Sequence, residues 1–131
     1  MTRKSIHVEG LGHGDLPIPS ASRIGPFVAT GGIRGIDRKT NTLPADEKQQ
    51  AEQMFDNLVA VLEAAGARAE DILKVTIWVS DAASRPAINP PWLRLFPDPQ
   101  SRPARHILIY ALPGNMKFQC EALAVIGDGK I

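Results

Sequence analysis

At 131 residues, 44% hydrophobic and 22% charged, the chain has the length of one domain, residues 1–131, and the composition of a globular protein. Its formal net charge of +1, with 15 scattered Lys and Arg and Tyr110 as the only tyrosine, argues against nucleic acid as a main partner. Its apolar runs fall far short of the roughly 20 residues that cross a bilayer. The single Cys120 excludes an internal disulfide, so no membrane association and a cytoplasmic location are expected.

The start, Met1-Thr2-Arg3-Lys4-Ser5, is basic but leads into Ile6-His7-Val8-Glu9-Gly10 rather than an apolar stretch, so no signal peptide is expected. Ser5 to Glu9 reads as a strand. His7 and His13 flank Gly10-Leu11-Gly12, with Asp15 beyond. The two histidines lack the fixed spacing of a zinc signature, and no helix start follows Gly10, Gly12 and Gly14, so neither a metal nor a phosphate site is expected there. Ile24 to Thr30 reads as a second strand, ending in Gly31-Gly32.

The clearest element is a helix from about Asp46 to Ala65. Ala51, Met54, Phe55, Leu58, Val61, Leu62 and Ala65 recur at the three-and-four spacing of one apolar face. Asp46 with Gln49 resembles a capping box, and Gly66 is the residue type that closes a helix in the left-handed conformation. Glu52, Asn57 and Glu63 are expected on the solvated side. The run Ile72 to Ser80 is β-branched and aromatic, and reads as a strand with Val75, Ile77 and Val79 toward the helix and Thr76, Trp78 and Ser80 on the other face.

Asn89 with Pro90 suits the start of a short helix through Trp92, Leu93, Leu95 and Phe96. Strands are then expected at His106 to Ala111 and Lys117 to Val125. The Pro113-Gly114-Asn115 turn between them suggests a hairpin. Arg105 stands where a loop feeds the first of these strands. A guanidinium stays protonated and grips a carboxylate through two parallel hydrogen bonds, which suits recognition of a small acid, although most surface arginines are simply solvated. Cys120 alternates onto the face of Phe118 and Ala122 and reads as a buried apolar cysteine; His106 faces away from Arg105. The order β, β, long α, β, short α, β, β defines an α+β protein, with a parallel or mixed sheet and both helices on one face.

Several segments together resemble the RidA/YjgF family of enamine and imine deaminases. They are Ala29-Thr30-Gly31-Gly32 (the family's Thr-Ser-Gly-Gln), Asn57 with Glu63-Ala64-Ala65-Gly66, Asp71 to Thr76, Arg102-Pro103-Ala104-Arg105, Leu112-Pro113, and Glu121 to Val125. The resemblance spans about Pro17 to Val125. It implies a chorismate-mutase-like fold, a mixed six-stranded sheet with two helices on one face, assembled as a homotrimeric barrel with a cleft at each interface. It also implies hydrolysis of 2-imino or 2-enamino acids to 2-keto acids and ammonia, without metal or organic cofactor. The partner is then a small carboxylate, held by the guanidinium of Arg105 and the backbone N–H of Ile107.

The chain also departs from the family pattern. Gln119 stands where the family has a catalytic glutamate, and an amide positions water but does not take a proton as a carboxylate does. Ile18 replaces the cleft tyrosine, Gly31 is read at the place of the serine, and Ile107 replaces a cysteine. Asn89 matches a family asparagine, as helix cap or ligand contact. Glu121 shares the strand face of Gln119 about 7 Å further on, within reach only of a longer cleft. Three readings follow: a deaminase using Arg105 and Gln119, a non-catalytic module that binds or senses small carboxylates, and the RNA cleavage attached to parts of the family by name, which the charge distribution supports least.

Overall fold

The computed structural model describes residues 1–127. In chain order the elements are β1 (Lys4–Ile6), β2 (Ala21–Ile24), β3 (Phe27–Thr30), β4 (Ile33–Arg34), α1 (Glu47–Ala64), β5 (Ile72–Val79), α2 (Asn89–Leu95), β6 (Ala104–Ile109) and β7 (Phe118–Val125). Short 3-10 stretches, Ala69–Asp71 and Ala82–Ile88, precede β5 and α2. The sheet runs β1-β2-β3-β7-β5-β6, and β4 also pairs with β7. It is mixed, because β5 and β6 are parallel while the other pairs are antiparallel.

Several expectations are corrected. The sheet has seven strands rather than six. Gly25, at φ +56°, and Pro26 break the expected Ile24–Thr30 strand into the β2–β3 hairpin, and β4 is an additional strand. β6 and β7 do not form a hairpin, because β5 lies between them. Their Pro-Gly-Asn connection is a real turn, but the core-facing residues of β7 pair best with the apolar alternation of β5. β6 begins two residues earlier than expected, so Arg105 lies within a strand and not in the loop before it.

Both helices cover one face of the sheet. Strict alternation in β7 buries Phe118, Cys120, Ala122 and Ala124, and β5 buries Val75, Ile77 and Val79 beneath them. Trp92 of α2 stacks edge-on against Phe55 of α1 at 6.2 Å and against Phe96 at 4.6 Å, and an Arg94–Glu52 ion pair joins the helices at their exposed side. The opposite face of the sheet is open and apolar in part, with Phe27, Leu73, Leu123 and Val125 exposed.

α1 ends in a Schellman motif as Gly66 predicts: its φ is +88°, its N–H donates to the Glu63 carbonyl, and the Ala67 N–H donates to that of Leu62. Its start differs from expectation. Asp46 is extended and makes no side-chain cap bond; only its carbonyl accepts, from the Gln50 N–H. The expected solvated position of Asn57 is also corrected, since it is fully buried. Its Nδ2 donates to the carbonyls of Arg34 and Ile36, both at 2.8 Å, and its Oδ1 accepts from Gln53. A helical wheel places this polar residue beside the apolar stripe and cannot tell a solvated edge from one facing a loop that needs donors.

Replacing Asn57 by Ala leaves two buried carbonyls without donors, at about 1–3 kcal/mol for each orphaned group. We expect Asn57→Ala to lower unfolding free energy by about 3 kcal/mol in urea titrations at fixed protein concentration, and Glu63→Ala, on the exposed side, by less than about 0.5 kcal/mol. Equal losses would remove the anchoring role.

Candidate functional site

Arg105 is oriented by α2. Its Nη1 donates to Asn89 Oδ1 at 3.0 Å, and its guanidinium carbon lies 4.9 Å from the centre of the Trp92 ring. Asn89 and Trp92 are three residues apart on one helix and so share a face. A hydrogen bond to a charged group and a cation–π contact of about 0.5–2 kcal/mol together fix the fork. The Asn89 side chain serves Arg105 and makes no cap bond; Asn89 itself is already helical, at φ −66° and ψ −42°. Partial burial of the guanidinium end lowers the Arg105 pKa below its ordinary value, and the like charge of Arg85 lowers it further. Among the described residues, no carboxylate forms an ion pair with Arg105.

β6 is an edge strand. The Tyr110 N–H donates to the Val79 carbonyl, so the alternation of backbone groups turns the N–H of Ile107 outward, to the free edge. Arg105 pairs with Val75 and Ile107 with Ile77, two core-facing residues, so both side chains lie on the helix-covered side of the sheet.

Gln119 belongs elsewhere. It pairs with Trp78 of β5 and Arg34 of β4, on the open face, as Glu121 does opposite Thr76. Between Arg105 and Gln119 lie about 10 Å along the strands, about 10 Å across them, and the sheet itself. One chain therefore does not bring the two together. The Gln119 amide lies over Gly32, where a Cβ would stand 2.5 Å from its Nε2. Gly31, the next residue back, donates its N–H to the Ser20 carbonyl at 2.8 Å. Ile18 sits in the loop leading to Ser20, with its side chain half open to solvent.

Thr30 Oγ1 accepts from the Ala122 N–H and donates to the Gly31 carbonyl. The space beside Gly32 is where the Gln119 amide lies. Glu121 lines a separate hollow with Lys74, Thr76 and Thr30. Cys120 is fully buried, and burial, then the charge of Glu121, pushes its thiol pKa far up, which disfavours a thiolate nucleophile. No cluster of three metal-ligating side chains occurs among the described residues, and no helix is long and apolar enough to cross a membrane.

Sequence reasoning missed Trp92 and Arg85 as neighbours of Arg105. The Asn89–Trp92 spacing was a usable signal for the first. Nothing local signals the second, because it depends on how the 3-10 stretch that carries it packs against α1, α2 and β5.

The Endoribonuclease L-PSP family model matches residues 18–126. The 2-iminobutanoate/2-iminopropanoate deaminase of Escherichia coli K12 is 33% identical over 124 residues, covering 93% of this chain and 97% of that protein. Among solved structures, the E. coli YjgF gene product superposes with a TM-score of 0.83 at 33% identity, covering 93% and 98% of the two chains. E. coli TdcF, solved with bound serine, superposes at 0.85 and 29% identity, covering 95% and 99%. The chain belongs to the L-PSP family, which is the RidA/YjgF family its motifs resemble.

Since the thiolate form is what reacts with alkylating agents, native Cys120 is expected to resist iodoacetamide at mildly alkaline pH and to react fully in concentrated guanidinium, by intact-mass measurement. Rapid labelling of the native chain would contradict its burial.

Proposed function

We propose that the protein is a deaminase hydrolysing reactive 2-imino or 2-enamino acids to 2-keto acids and ammonia. The observation that carries this reading is the oriented Arg105, held by Asn89 and Trp92 with no acidic partner among the described residues. Its remaining N–H groups are free to take a carboxylate, and the outward N–H of Ile107 adds a donor on the same edge. The deaminase at 33% identity and the serine-bound relative support a small amino-acid-like ligand.

The two half-sites are proposed to meet between copies of the chain. Arg105, Asn89 and Ile107 at the β6 edge of one copy would face Gly31, Ile18 and Gln119 of the next in a homotrimer, with the apolar open face inside the assembly. Burial of Phe27, Leu73, Leu123 and Val125 supplies a driving force at about 25 cal/mol per Å². In the cleft, Arg105 neutralises the carboxylate, and Gln119 positions the attacking water through its amide. No metal or organic cofactor enters this scheme, and the setting is the cytoplasm.

The amide at position 119 favours a second reading, a module that binds or senses small carboxylates without turning them over. Ammonia release from a freshly generated 2-imino acid separates the two. We expect wild-type protein to exceed the spontaneous rate and Arg105→Ala to lose about 100-fold in kcat/KM, as losing a charge-assisted pair worth about 3 kcal/mol implies. Keto-acid binding by calorimetry with no acceleration would establish the second reading instead. In Gln119→Glu, a rise in rate marks a chain that has drifted from the usual chemistry, and a fall marks the amide as part of its own mechanism. Sedimentation equilibrium should give three chain masses, and a monomer with full activity would exclude the shared cleft.

A further inference from the structure

The half-site around Gln119 holds a guanidinium of its own. Arg34 of β4 stands directly opposite Gln119 in the β4–β7 register, and Gln119 in turn stands opposite Trp78 of β5. Directly opposed residues share a face of the sheet, so Arg34, Gln119 and Trp78 form one row across the open face, on strands about 4.8 Å apart. All three side chains are half-buried.

The fold leaves Arg34 one direction to take. Ile33 before it is buried in the core opposite Cys120, so strand alternation sends the Arg34 side chain to the other face. Asn57 holds the Arg34 carbonyl at 2.8 Å from the helix side, and Gly35 after it packs so tightly on the Gln50 carbonyl that no Cβ fits. The backbone is fixed, yet the charge is uncommitted. Among the described residues no carboxylate forms an ion pair with Arg34, and Glu121 stands one row further along, opposite Thr76. Charge then decides what the row accepts. An alkyl chain closing over Arg34 strips water from a cation and returns nothing, whereas a carboxylate returns a matched charge and two parallel hydrogen bonds.

We propose that Arg34 is the specificity-determining residue of the cleft, binding a second carboxylate on the ligand's side chain, so that the substrates are 2-imino dicarboxylic acids. This deepens the deaminase reading above and rests on it and on the cleft shared between copies. Arg105 of one copy holds the carboxylate next to the imine, and Arg34 of the next holds the distal one. Gln119, between Arg34 and Trp78, holds the water, while the Trp78 ring offers an apolar wall to the methylenes joining the two carboxylates. The 2-imino dicarboxylate and water then become a 2-oxo dicarboxylate and ammonia. A monocarboxylic imino acid of the same length leaves Arg34 desolvated and unpaired, which selects against it.

The test compares ammonia release by the full chain on freshly generated imino acids matched in length: 2-iminosuccinate and 2-iminoglutarate against 2-iminobutanoate and 2-iminopentanoate. We expect wild-type kcat/KM to be about 10-fold or more higher on the dicarboxylic pair. Arg34→Ala and Arg34→Gln should lower it on that pair by about 10- to 100-fold, the range for losing a charge-assisted pair, and leave the monocarboxylic pair within about 3-fold. Arg34→Lys should keep part of the preference. A wild-type chain that turns over both pairs equally, or a preference that survives both neutral variants, overturns this inference and leaves the deaminase reading standing. Equal losses on all four substrates, with the assembly dissociating in sedimentation, assign Arg34 to the subunit contact and overturn it too. If the wild type turns over none of them, the deaminase reading falls and calorimetry decides the role of Arg34. Binding of 2-oxoglutarate about 10-fold tighter than 2-oxopentanoate, lost in Arg34→Ala, upholds it, and equal binding overturns it.

Discussion

Two buried amides on α1 fix the geometry on which the rest of the candidate site depends. Asn57 satisfies the carbonyls of Arg34 and Ile36, and Gln50, also buried, donates to the carbonyls of Pro44 and Asn115 while accepting from the Lys117 N–H. The residues are seven apart and so lie near one face of the helix. One clamps the segment that follows Gly31-Gly32, and the other clamps the approach to β7 two residues before Gln119. Loop backbone in a protein interior needs such partners, because an unpaired buried carbonyl costs more than the bond returns. Gly35 completes the arrangement, since any Cβ there would collide with the Gln50 carbonyl. Among the described residues no buried side-chain polar atom lacks a partner, so these amides serve packing without being left over for chemistry.

That rigid frame makes the separation of Arg105 from Gln119 informative. Pairing across β5 assigns them to opposite faces, and no side-chain rotation carries a guanidinium through a hydrogen-bonded sheet. A single chain thus presents the proposed carboxylate anchor without the proposed water-positioning group beside it, and the reverse on its other side. For the proposed reaction this turns association from a matter of stability into a condition for activity. It also gives the exposed apolar face a functional as well as a thermodynamic reason to be covered, because closing it would exclude bulk water from the amide and glycine corner.

Much of this was legible in the sequence, and the failures share one cause. Local signals gave α1, its Gly66 end, β5, β7 and the buried Cys120, since periodicity and turn chemistry are properties of a few neighbouring residues. Strand order was not local. The turn at Pro113-Gly114-Asn115 reads as a hairpin, yet β5 intervenes because its alternation matches that of β7. Asn57 was misread for the same reason, as its partners come from a segment more than twenty residues away. For the site, type and position were visible for Arg105, Gln119 and Asn89. Their grouping was not: the bond between Asn89 and Arg105 and the face that isolates Gln119 follow from pairing that no motif encodes.

Position 32 shows why substitutions in such a site are read in pairs. Taken alone, an amide at position 119 offers no base, and a glycine at position 32 offers no side chain. Together they keep one amide at the corner, because the Gln119 side chain lies in the volume that a residue at 32 would fill. Gln119 thus offers hydrogen bonding toward a water there but no proton-accepting group of its own. A carboxylate at 119 would place a charge against the bare backbone of Gly32 with Arg34 across the strand. The chemistry open to this corner is accordingly set by Gly32 and Gln119 together, and not by the identity of residue 119 by itself.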